Sequence, residues 1–98
     1  MKALLYAGHE LLTTDPVADA LLDYVETLPM NQPPDRVVIP ALRDGQPVVA
    51  EMVLTAATPV AVTTTPLADT PLDGADYAVA VLRNKAERIA GIGYHLEP

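Results

Sequence analysis

Glu51 is the residue whose setting most invites chemistry. It is the one charge between Pro47 and Ala61. A carboxylate on the inner face of a small curved sheet acquires the raised pKa that a general base needs. Tyr24 or Tyr94 would then serve as hydrogen-bond donor, in a small-ligand or isomerase-like pocket between helix and sheet. The competing arrangement is a cross-strand ion pair with Arg36 on an outer sheet face.

Other constellations are poorer. His9 and His95 would meet beside Glu10 or Glu97 only if the first and last strands were neighbours, and a metal needs three or four ligands. Neither a metal nor a cofactor is expected. Asp15, Asp19, Asp23 and Glu26 follow the polar side of one helix, which reads as a solvated face. They lack the alternating oxygen ligands and central glycine of a calcium loop. Thr63, Thr64 and Thr65 carry hydroxyls without a neighbouring base. Gly91-Ile92-Gly93 lacks the further glycines, the lysine and the following helix of a phosphate loop, and reads as a kinked strand. Arg83, Lys85 and Arg88 read as a solvated turn.

The chain contains no Cys and no Ser. Disulfides, thiolate chemistry and a serine nucleophile are therefore excluded. A net charge of −7, with two Lys and four Arg, argues against nucleic acid or an anionic membrane as partner. No apolar run approaches the roughly 20 residues of a membrane helix, and the opening MKALLYAGHELL lacks the pattern of a signal peptide. A cytoplasmic protein is expected, and the Ala, Val, Pro and Asp bias suggests a GC-rich, bacterial source. Four aromatic residues, all Tyr, leave an aliphatic core. Small side chains bury little area each, so either stability is modest or a partner surface adds to it.

The elements that must position these residues are organised around Arg36 to Thr65. Asp44-Gly45 suits a type I′ loop, which sets Arg43 opposite Gln46 and Val37 opposite Met52. That register gathers Val37, Ile39, Ala41, Val48, Ala50 and Met52 on one face, where a one-residue slip would scatter them. The other face carries Arg36, Val38, Leu42, Val49, Glu51 and Val53. Pro40 lies inside the first strand and implies an edge or a bulge. Upstream, Lys2 to Tyr6 and Glu10 to Thr13 form a shorter hairpin around Gly8-His9, with Leu5 facing Leu12. Asp15 as N-cap and Pro16 at the first position open a helix. Its stripe of Val17, Leu21, Tyr24, Val25 and Leu28 ends at Pro29. Pro59 to Thr65 is strand-like, and Pro66 to Gly74 is an irregular loop. Residues 76–96 read either as a hairpin turning at Asn84-Lys85 or as a helix striped by Ala78, Val81, Leu82, Ala86 and Ile89. The Val, Ile and Tyr content favours the hairpin.

The expected fold is α+β, one domain over residues 1–98. One amphipathic helix at about 16–28 packs on a mostly antiparallel sheet of about five to seven strands. The expected function is a non-catalytic protein-interaction module, acting as a homo-oligomer (a homodimer first) or as a small partner subunit. Its contact surface is Val38, Leu42, Val49 and Val53, or the edge near Pro40. Two alternatives stand beside it: the Glu51 pocket, and an acidic inhibitor or antitoxin-like protein whose Asp15, Asp19, Asp23 and Glu26 face meets a basic partner.

Overall fold

The computed structural model describes residues 1–95, with side chains through residue 91. In chain order the elements are β1 (Lys2–Tyr6), β2 (His9–Thr13), α1 (Asp15–Thr27), β3 (Asp35–Arg43), β4 (Gln46–Leu54), β5 (Val60–Thr64) and α2 (Ala75–His95). The strands form one antiparallel sheet in the order β4-β3-β2-β1-β5. The α+β class and five strands agree with expectation; a second helix replaces the hairpin expected at the C-terminal end.

The β3–β4 hairpin has the expected register, from Arg43 opposite Gln46 to Val37 opposite Met52 and on to Asp35 opposite Leu54. Asp44 and Gly45 both take positive φ, at 51° and 78°, as a type I′ loop requires. In such a loop the flanking residues form a hydrogen-bonded pair, so alternate pairs beyond it carry no ladder bonds. Pro47 opposite Leu42 and Pro40 opposite Val49 fall at those positions, where a missing N–H breaks nothing between the two strands.

Pro40 corrects one expectation. β3 is not an edge, because it lies between β4 and β2, and the unbroken register leaves no bulge. The proline instead limits the neighbouring ladder. β2 and β3 pair only at Leu12 and Leu42, and the Thr13 hydroxyl then donates to the Pro40 carbonyl at 2.8 Å.

The first hairpin is shifted by one residue from expectation. Its loop is Ala7-Gly8, with φ of 51° and 81°, so Tyr6 faces His9 and Leu4 faces Leu11. The shift leaves each residue on the same sheet face, and Leu4, now opposite Leu11, is fully buried in the core. The register also repeats the placement of glycine second in a two-residue loop.

Helix α1 starts one residue earlier than expected. Thr14 is extended and caps it, its hydroxyl accepting from the Val17 N–H at 3.4 Å. Asp15 and Pro16 occupy the first turn, where a missing N–H has no helical partner to lose. Leu28, immediately before Pro29, is extended and ends the helix. Val17, Leu21 and Tyr24 are buried as the stripe predicts.

Helix α2 is amphipathic in the same way. Ala78 and Leu82 are buried, and Ala75, Val79, Ala86 and Ile89 pack beside them, a helical period. Packing overrides the strand preference of its Val, Ile and Tyr residues. Gly91-Ile92-Gly93 belongs to this helix and not to a kinked strand. One core joins Leu4 of β1, the α1 stripe, Val37 and Ile39 of β3, Met52 and Leu54 of β4, and Ala78 and Leu82 of α2. Around it the sheet curls, until the Tyr6 hydroxyl on β1 bonds the free edge of β4 at Val53.

Candidate functional site

The outer face of the β3–β4 hairpin is built from four facing pairs: Arg36 and Val53, Val38 and Glu51, Pro40 and Val49, Leu42 and Pro47. Their partners on the inner face, among them Val37, Ile39, Met52 and Leu54, are buried. Strand alternation therefore forces this row outward. Non-hydrogen-bonded pairs bring side chains closest together, so the eight residues form a narrow, continuous strip roughly 20 Å long. Val38 is 50% exposed, Val49 72% and Val53 51%; Leu42 is half-buried. Both helices contribute to the core on the other face; Pro71, Leu72 and Asp73 border the strip only at its Pro40, Pro47 and Val49 end. Exposed valines in a continuous row are the unusual feature, since isolated ones need no explanation.

Glu51 sits in this strip, 64% exposed, with its Oε1 3.9 Å from Nη1 of Arg36. The cross-strand arrangement with Arg36 is the one found, and the alternative placement of Glu51 in a pocket between helix and sheet is corrected. Glu51 points outward because it alternates with Ala50 and Met52, which face the interior. Nor is Tyr24 free to act with it. The Tyr24 hydroxyl donates to Oδ2 of Asp35 at 2.7 Å, and Nζ of Lys85 donates to the same oxygen at 2.9 Å. Burial, with the Asp35 carboxylate beside it, pushes the Tyr24 hydroxyl well above its ordinary pKa, so it remains a protonated donor. Burial raises the Asp35 carboxyl, but the Tyr24 hydroxyl and Lys85 ammonium outweigh it and hold the group below its ordinary value. This cluster ties α1, β3 and α2 together. No spacing in the sequence signals it, because its members come from three distant segments. Tyr94 belongs to α2; its side chain lies outside the described residues, as do that of His95 and all of Glu97.

The acidic side of α1 is engaged by the rest of the chain. Asp19 accepts from Lys2 at 2.6 Å, Asp23 pairs with Arg83, and Asp15 lies 3.5 Å from the Met1 ammonium. Glu26 is exposed. Helix α1 contains no lysine or arginine, so the cations come from elsewhere in the chain. His9 is exposed on β2. Among the described residues no three His, Asp or Glu groups gather where they would hold a metal ion, and no helix is long and apolar enough to cross a membrane.

Comparisons of the chain with protein-family models, with curated proteins and with solved structures find no match.

Proposed function

We propose that the chain is a non-catalytic protein-interaction module whose partner is a second copy of itself, docked through the outer face of β3–β4. The observation that carries this reading is the open strip of Val38, Val49 and Val53, flanked by Pro40, Leu42 and Pro47. Its charge supports a self-partner. The chain carries −7 overall, but this face holds one cation and one anion, Arg36 and Glu51, both exposed and only 3.9 Å apart. A two-fold axis through such a face repeats every contact, so Arg36 of each copy can meet Glu51 of the other. The acidic groups of α1 lie away from the strip, on a helix that packs against the core's other side, and do not oppose the approach.

The geometry also favours face over edge. On the free edge of β4 the Val53 N–H and carbonyl are taken by Tyr6, and Pro47 has no N–H. A partner strand is left with the edge groups of Val49 and Glu51, too few for a stable added strand. Two such strips cover on the order of 1,000 Å² in total, at the lower limit of specific interfaces. The expected dimer is therefore weak, with a micromolar dissociation constant. Light scattering over a concentration series tests this. Mass should rise from one chain toward two across the micromolar range; one-chain mass up to millimolar concentration contradicts the reading.

A further inference from the structure

The curl of the sheet leaves a cleft between the β1–β2 turn and β4, walled mainly by interior-face residues and bordered by Val49 and Glu51 of the outer strip. It has a volume of about 490 Å³, within the range of small-molecule sites. We propose that it binds a small organic acid with an aliphatic body. Leu11, Val48, Ala50 and Met52 provide the apolar wall, and Arg43 with His9 receives the carboxylate.

The placement follows from register. Tyr6 faces His9, and continuing the ladder from Leu12 opposite Leu42 sets Leu11 beside Arg43. Both polar groups thus stand on the interior face, at one end of the cleft. Along β4 the interior residues pass from buried Leu54 and Met52 to half-buried Ala50 and Val48. The helices do not reach this end, and apolar wall remains uncovered there. Arg43 makes no ion pair among the described residues, whereas Lys2, Arg36, Arg83 and Lys85 each hold a carboxylate. In a chain with 13 acidic and six basic residues, an unclaimed guanidinium beside an imidazole borders this cavity, together with an apolar wall. Glu51 also borders it, but its carboxylate is turned to Arg36. A guanidinium takes a carboxylate in a two-pronged geometry, while the alkyl body replaces water on the wall. The larger cleft beside it, about 630 Å³, has Glu10 and no lysine or arginine in its lining, and so would repel the same ligand.

The test is an amide-resolved NMR titration of the whole chain with octanoate and, separately, octanol. Octanoate should move the Tyr6, Leu11, Val48 and Ala50 amides saturably, and octanol should bind at least about tenfold more weakly. Arg43→Gln, at an exposed site, should weaken octanoate by at least about tenfold and leave octanol unchanged. Equal affinity for the two probes, no saturable shift, or shifts confined to Val38 and Val53 on the outer strip would overturn the proposal. The comparison of probes on the unaltered chain holds even if Arg43→Gln misfolds.

Discussion

The hydroxyl of Tyr6 donates to the Val53 carbonyl at 2.9 Å and accepts from the Val53 N–H at 3.1 Å. A phenol on β1 thereby takes both edge-facing backbone groups of one residue on β4, three places away in the sheet order. Edge strands invite pairing with other chains, and this contact closes that route at one position of β4, one of the sheet's two edge strands.

Tyr6→Phe keeps the ring and removes both bonds. The groups released are exposed to water, so the expected loss is modest, about 1 kcal/mol, read from urea unfolding. The Val53 amide should also exchange hydrogen much faster, with little change at Met52, whose N–H lies within the β3–β4 ladder. Unchanged exchange at Val53 would show that the hydroxyl does not hold the edge.

Asp35 supplies the acid sensitivity. Its folded pKa lies below the ordinary value of 3.8, so its stabilising effect is present above that value and disappears as pH falls through the lower, folded one. The Asp69 carboxyl is depressed as well, first by its hydrogen bond from the Met1 ammonium, and acts in the same window. Asp35→Asn should therefore flatten, without abolishing, the loss of stability below about pH 4. Tyr24→Phe should cost about 1–2 kcal/mol at neutral pH, as expected for a partly buried bond to a charged acceptor. An acid limb of the unfolding curve as steep in Asp35→Asn as in the parent would contradict this.

Helix α2 is held by burial on one side only. Leu82 is nearly inaccessible and Tyr77 is 76% exposed. Leu82→Ala should cost about 2–4 kcal/mol, and Tyr77→Ala should stay within about 0.5 kcal/mol of the parent, both read from chemical unfolding. Equal effects would mean that α2 docks through another face.

Local signals carried the fold where one turn and one alternation agreed. At Asp44-Gly45 the loop residues and the apolar pattern of both strands name the same register, so the hairpin and its outer strip were legible. At Ala7-Gly8 the strands are short and both candidate registers pair leucines; only the position of glycine, second in the loop as at Gly45, separates them. In α2 strand-favouring residues coincide with a helical stripe, and the balance is set by Ala78 and Leu82 finding α1 and β3, together with Arg83–Asp23 and Lys85–Asp35. Those are tertiary partners that no window of sequence contains. Glu51 was legible as an unusual charge, but its direction depended on which sheet face the helices covered. The Tyr6–Val53 contact and the cleft beside it arise from the curl of the sheet, and no pairwise spacing encodes that.

The most direct test of the outer strip as a self-association surface is the solution mass of Val49→Asp/Val53→Asp beside the parent chain, by light scattering at matched concentrations. Both side chains are more than half exposed, so the variant should keep the parent's far-ultraviolet circular dichroism. The parent mass should climb toward two chains and that of the variant should stay at one, because two buried carboxylates per copy oppose the contact. A variant that associates as the parent does would contradict it.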